Sequence, residues 1–267
     1  MKFLINHQTT YRYDLPVKRS VQYLRLTPQT LGHQRVMNWQ IAAAGEMYHQ
    51  TDGFANGWTT LCVGREHQDL LIMAQGEVEI ADQIDCIVDD RVSPIVFTAP
   101  TTLTQIDEAL QDFSERHLTV HNRHGLIELS EAIIEKMPYT AGQTHVMTKA
   151  ADSFELGLGV CQDHTHVLLA CARAKGLPAR YVSGYLYTIN ETHVASHAWA
   201  EVWLDGAWYC FDVSNQLFSP TQHVQLAIGR DYLDAAPVRG VRQGGGNEAM
   251  HALVQVLPST RSTAVIG

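Results

Sequence analysis

The chain lacks any paired Cys-x-x-Cys: Cys62, Cys86, Cys161, Cys171 and Cys210 are odd in number and widely spaced. That pattern excludes a zinc ribbon or a disulfide framework and fits reduced thiols, so a cytoplasmic location is expected. No apolar run approaches the roughly 20 residues that cross a bilayer. At the start, Lys2 is followed only by Phe3-Leu4-Ile5 before Asn6-His7-Gln8, with no signal-peptide core, and no membrane partner is expected. Lys and Arg number 19 against 28 Asp and Glu, a net charge of −9, and the basic residues form neither stripe nor tail. Nucleic acid is therefore not an expected partner. There is no HExxH, no EF-hand-like acidic loop, no phosphate-binding glycine loop and no internal repeat, so neither a metal nor any other cofactor is expected. His164 and His166, two apart in a helical stretch, point to different sides, and His193 lies four before His197; these spacings make no zinc set.

What is present is a change of period along the chain. Phe3, Ile5, Thr9, Tyr11 and Tyr13 alternate, and strand-like runs recur at 21–26, 36–42, 58–63 and 70–80. Turn signals at Pro16, Pro28, Gly32, Asp52-Gly53 and Gly76 separate them, which predicts a small β-sandwich over residues 1–98. Thr98-Ala99-Pro100-Thr101-Thr102 reads as a linker. Helical spacing follows in Ile106, Leu110 and Phe113, then in Leu126, Leu129, Ile133, Ile134 and Met137 before Pro138, and in a short stretch over 149–156. Strands are expected at 180–187, 197–204 and 207–213, giving a core over 99–235. A tail over 236–267 contains the bend Gln243-Gly244-Gly245-Gly246-Asn247 and a strand at 251–257 that packs back on the body. Helices followed by a run of strands make the fold class α+β.

Within that core, Gly159-Val160-Cys161-Gln162-Asp163 leads into a helix over 163–175, with Val167, Leu168, Ala170, Cys171 and Ala174 at helical spacing and Gly176-Leu177-Pro178 as the stop. Cys161 therefore sits at or just before a helix N-terminus, where unpaired N–H groups and the positive end of the macrodipole favour a thiolate and can receive an oxyanion. Asp163 opposes the thiolate in part. A buried structural cysteine is the competing reading.

Asp205-Gly206 between 197–204 and 207–213 predicts a two-residue type I′ hairpin in which Leu204 pairs with Ala207. Trp199 then lies opposite Asp212, and His197 is the diagonal neighbour of Asp212 on the same face, about 7–8 Å away at the backbone. Ala198, Ala200, Val202, Leu204, Tyr209, Phe211 and Val213 form a core face; His197, Trp199, Glu201, Trp208, Cys210 and Asp212 form the opposite, functional one. Cys210 and Glu201 are rivals for nucleophile and orienting carboxylate.

These residues resemble the transglutaminase-like superfamily. The resemblance runs from Gly-Val-Cys-Gln-Asp through the stretch from Gly176 to Tyr185, the His-Ala-Trp-Ala-Glu-Val-Trp strand and Phe211-Asp212. Arg25-Leu26-Thr27-Pro28 and Asp52-Gly53-Phe54-Ala55-Asn56 are similar to the N-terminal β domain of its bacterial branch, and Gly229-Arg230-Asp231-Tyr232 with Pro237-Val238-Arg239-Gly240 to that branch's C-terminal stretch. Tyr139-Thr140-Ala141-Gly142-Gln143-Thr144 resembles a motif bordering the cleft. The resemblance implies a papain-like core with Cys161 as nucleophile, His197 as base and Asp212 as orienter, without an obligatory metal. One departure is Asp212-Val213-Ser214-Asn215, where the branch usually has Asp-Pro-Thr. The expected reaction is hydrolysis of a peptide, isopeptide or amide substrate through a thioester. Transfer to an amine, and a non-catalytic binding role, are the alternatives.

Overall fold

The alternation that begins at Phe3 runs through Pro16 rather than turning there. In the computed structural model, which describes residues 1–189 and 196–259, strand β1 spans Lys2–Leu24. Its pairing register slips between Arg12 and Val17, and the Pro16 carbonyl accepts from Gly245 N–H at 3.1 Å, so the proline bends the strand without ending it. Strands β2 (Gln34–Ala43), β3 (Glu46–Thr51), β4 (Gly57–Val63) and β5 (His67–Ile80) follow. Gly76 is likewise no turn. It lies inside β5 beside the bulge in β2, where a Cβ would come within 2.2 Å of the Asn38 carbonyl.

The first half of β1 pairs with β5 and with β11 (Glu248–Pro258); the second half pairs with β4 and with β10 (Val238–Gly244). Among the described residues the expected sandwich is thus one continuous seven-stranded sheet bent along β1. Both halves share one core, in which Phe3, Ile5, Leu24, Leu61, Ile72 and Val256 meet. The tail supplies two strands where one was expected, joined through Gly245 and Gly246 at positive φ.

Helices α1 (Glu108–His117), α2 (Arg123–Lys136) and α3 (Ala150–Leu156) precede α4 (Cys161–Ala174). Asp107 and Asn122 cap α1 and α2 by accepting from Leu110 N and Gly125 N. The 98–102 stretch is largely exposed, but its flanks are anchored. Phe97 is buried beside it, and the Arg173 guanidinium of α4 donates to the Phe97 carbonyl and to Thr104 Oγ1 at 3.1 and 2.8 Å.

Strands β6 (Ala179–Leu186), β7 (His197–Leu204), β8 (Ala207–Phe211) and β9 (His223–Gly229) form an antiparallel sheet in the order β8-β7-β6-β9, with the short helix α5 (Tyr232–Ala235) after β9. Helix α4 covers the face bearing Ala198, Ala200, Val202 and Phe211. Much of the opposite face, expected to be the functional one, is also buried: Trp199, Trp208 and Cys210 pack with Ile87, Phe97, Val182 and Ile228. Edge strand β9 is closed by side-chain amides of the N-terminal region. Asn56 exchanges two hydrogen bonds of 2.8 Å with the Ile228 backbone, and Gln34 exchanges bonds of 2.9 and 2.8 Å with that of Gln225. An amide offers both a donor and an acceptor, as a neighbouring strand would. Among the described residues, no helix is long and apolar enough to cross a membrane.

Candidate active site

Cys161 is the first residue of α4, two residues earlier than the apolar spacing alone placed the helix start. The entry is held by Asp163, whose Oδ2 accepts from the Val160 N–H at 2.8 Å and from Thr144 Oγ1 at 2.7 Å. Gly159 is required there, because a Cβ would stand 2.6 Å from the Asp163 Cβ. Gln162 Nε2 donates to the Val146 carbonyl at 3.1 Å, so the 139–147 segment is strapped to the start of α4 on both sides of the thiol. By helix geometry the Cys161 and Gln162 N–H groups have no partner within α4.

The hairpin has the expected register. Leu204 pairs with Ala207, Glu201 with Cys210 and Ala200 with Phe211, and Asp205 and Gly206 take φ of 48° and 91°, the positive values that a type I′ turn demands. Beyond Phe211 the chain leaves the ladder, and Asp212 and Leu217 exchange backbone hydrogen bonds. The turn therefore closes without the family's proline. Asn215 N donates to Asp212 Oδ1, and Asn215 Nδ2 reaches both carboxylate oxygens at 3.2 and 3.0 Å.

His197 Nε2 lies 2.8 Å from Asp212 Oδ2, and Cys161 is near enough to act electrostatically on the ring. With Nε2 taken by Asp212, Nδ1 is the ring nitrogen left for the thiol. Burial alone would lower the His197 pKa, but the Asp212 carboxylate and Cys161 overcome it and hold it up at about 10. Burial would raise the Asp212 carboxyl; His197 and His223 instead keep it well below the ordinary carboxylate range. Cys161, His197 and Asp212 are thus brought together.

The two rivals are not available. Cys210 is buried, and burial pushes its thiol well above the ordinary value. Glu201 is bonded to Arg180. His164 turns toward the Met137 carbonyl and Ser214 Oγ while His166 accepts from Tyr232 N, the divergence expected of two positions on one helix. His193 lies outside the described residues. Sequence reasoning missed His223, whose Nε2 is 3.0 Å from the same Asp212 Oδ2, and the bracing roles of Thr144 and Asn215. The only local signal for Asn215 was its position in the turn after Asp212; His223 had none. Among the described residues, His197, Asp212 and His223 are the group compact enough to share a metal ion. As they stand, both rings point Nε2 at one carboxylate oxygen and the three form a hydrogen-bond network.

Residues 3–79 match the bacterial transglutaminase-like N-terminal region, and residues 119–213 match the transglutaminase-like superfamily core. An uncharacterized protein of Mycobacterium leprae is 27% identical over 94% of this chain and 96% of its own length. Another, from Mycobacterium tuberculosis, is 26% identical over 96% of this chain and 93% of its own. Among solved structures, a candidate cysteine protease from Cytophaga hutchinsonii is similar in fold, with a TM-score of 0.78 at 22% identity over 97% of this chain and 92% of that one.

Proposed function

The chain belongs to the transglutaminase-like superfamily, a family of thiol enzymes, and from that premise we propose that it hydrolyses a peptide, isopeptide or side-chain amide bond through a thioester. The observation that carries this reading is the His197–Asp212 hydrogen bond, with Cys161 close enough to act on the same imidazole.

The thiol proton passes to His197 Nδ1, and Cys161 Sγ attacks the acyl carbon. The oxyanion that forms is met by N–H groups at the start of α4, where no counter-charge need be moved into place. The imidazolium returns its proton to the leaving amine as the C–N bond breaks, leaving the thioester. Water, deprotonated by the same nitrogen, then attacks the thioester; the C–S bond breaks and free acid leaves. Asp212 stabilises the cation at each stage and keeps the ring from turning. Tyr139, Val146 and Met147 are exposed on the segment strapped to α4 and offer an apolar wall to the acyl donor.

Hydrolysis is preferred to transfer because water, at about 55 M, competes for any open thioester unless an amine site excludes it. The test is to profile peptide and isopeptide donors with and without a millimolar primary amine and to quantify acid and amide products. Free acid as the main product supports hydrolysis. Predominant amide at amine levels far below that of water would replace it with a transamidase. Donor turnover that survives in Cys161→Ala would remove the thiol chemistry altogether.

A further inference from the structure

His223 is fully buried at the start of β9, on the far side of β6 from His197. Cross-strand register explains how it reaches the site. His197 pairs with Gly184 on β6, Gly184 pairs with Gln225 on β9, and Leu186 pairs with His223, so the two histidines share one face of the sheet. Between them stands Gly184, which has no side chain. A Cβ there would lie 2.0 Å from the Val224 carbonyl and 2.8 Å from Trp199 Cη2. The gap lets β9 approach and lets the Trp199 ring pack against both imidazoles, with centroids 4.7 Å from His223 and 6.1 Å from His197.

The bond His223 makes is directed at the atom that matters to His197. Asp212 Oδ2 takes His197 Nε2 at 2.8 Å and His223 Nε2 at 3.0 Å, while Asn215 binds the carboxylate from the solvent side. Carboxylate lone pairs lie in one plane, and donors arriving from several directions fix that plane. Around His223 the titratable groups are His197 on β7 and Asp212 after β8. Glu201 stands beyond Trp199, and His164 on α4 is engaged by Ser214 and Met137. His223 Nδ1 has no hydrogen-bond partner among the described residues, so the ring's one directed contact is with Asp212.

We propose that His223 is a positioning residue of the thiol site, holding the Asp212 carboxylate in the orientation that keeps the His197 ring aimed at Cys161. The inference rests on the thiol-enzyme reading above. Without the His223 bond, Asp212 turns from His197, the imidazolium loses its partner, and the ring is no longer held toward Cys161.

The test needs no substrate: iodoacetamide alkylation of Cys161 at pH 6.5 and pH 9.5, followed by mass spectrometry of its peptide, with thermal melting as the check on folding. In the wild type, the imidazolium keeps the rate at pH 6.5 within about threefold of that at pH 9.5. In His223→Leu the rate at pH 6.5 falls about tenfold while that at pH 9.5 holds. In His223→Gln, whose amide nitrogen reaches the place of Nε2, the wild-type ratio is retained. Should His223→Leu fail to fold, His223→Asn, with an amide too short to reach Asp212, takes its place against the Gln variant. A wild-type ratio in the Leu or Asn variant overturns the positioning role and leaves the thiol reading standing. An ordinary thiol profile in the wild-type protein overturns both.

Discussion

Arg180 Nε donates to Glu201 Oε2 at 2.7 Å with both side chains closed to solvent, and Nη1 reaches Asp89 Oδ2 at 2.9 Å. The Trp208 ring lies 4.2 Å from the guanidinium, and Trp199 Nε1 donates to Glu201 Oε1 at 3.4 Å. The carboxylate that shares a strand face with His197 is thus committed to a buried cation, and its second oxygen steadies the tryptophan that packs on His197. Burial would raise the Asp89 carboxyl, but the guanidinium groups of Arg91 and Arg180 keep it well below the ordinary carboxylate range.

Glu201→Gln should therefore cost stability rather than chemistry. Removing one member of a buried ion pair costs about 3 kcal/mol, even with Asp89 remaining on Arg180. The expected result is a lowered melting temperature, with Cys161 alkylation per folded molecule unchanged. A large loss of alkylation at wild-type stability would return Glu201 to the list of orienting carboxylates.

Asp212→Asn should keep the fold and lower turnover about 10²- to 10³-fold. The amide no longer enforces the Nε2–H tautomer, and the serine-protease counterpart loses about 10⁴. The loss is smaller here because a cysteine is the better nucleophile at neutral pH. Steady-state rates on any donor found in the substrate panel decide it. An Asn variant as fast as the wild type would detach Asp212 from the chemistry.

At neutral pH, Cys161 should be alkylated ahead of the other four cysteines. Cys171 is pushed up to about 12 by burial, Cys210 is driven up in the same way, and neither is open to a reagent. Cys62 and Cys86 are partly exposed but lack the helix N-terminus and the imidazole. Peptide mapping after brief exposure to iodoacetamide reads the order directly; Cys62 or Cys86 labelling first contradicts it.

Gly184→Ala should destabilise the protein by about 1–3 kcal/mol, since the methyl group can be accommodated only by moving backbone. The strand it would push against carries His223, so Cys161 alkylation at pH 6.5 should fall with it. Unchanged melting and alkylation would mean that β6 and β9 are not in the contact described.

Stability should fall on acidification below pH 6.5. Burial lowers His7 to about 4 and His166 to about 3, so the unfolded chain binds protons in this range that the native state refuses. Their contribution is complete above the unfolded value of about 6.5 and is lost as pH drops through the folded values, up to about 3 kcal/mol for His7. His197 has the opposite sign: with its pKa raised to about 10, its contribution is complete below 6.5 and lost as pH rises through 10. Denaturant midpoints at pH 7, 5.5 and 4.5 check the acid limb. His7→Gln, which keeps polar contacts to Tyr185 and Thr9 but does not titrate, should flatten it.

Short-range signals were legible wherever one local interaction outweighs the alternatives. Asp205-Gly206 selects a turn through its positive φ, and the turn then sets every pair to Ala200–Phe211. Helix α2 ends before Pro138 because proline offers no N–H to extend it. Pro16 and Gly76 misled for the same kind of reason. Each is a breaker in an isolated strand, but an irregular register in β1 absorbs the proline, and the crowded Asn38 backbone demands the glycine.

By itself the sequence determined the α+β class, the helix entry at Cys161 and the hairpin register as far as Ala200–Phe211, because each depends on periodicity or on contacts a few residues apart. Only the tertiary structure decided which acid is spent on Arg180, which face of the second sheet is sealed, and that the tail completes the first sheet. It alone brought His223 onto Asp212. Those outcomes turn on pairing between strands far apart in the chain, where the hydrophobic pattern says that a face is buried but not what buries it.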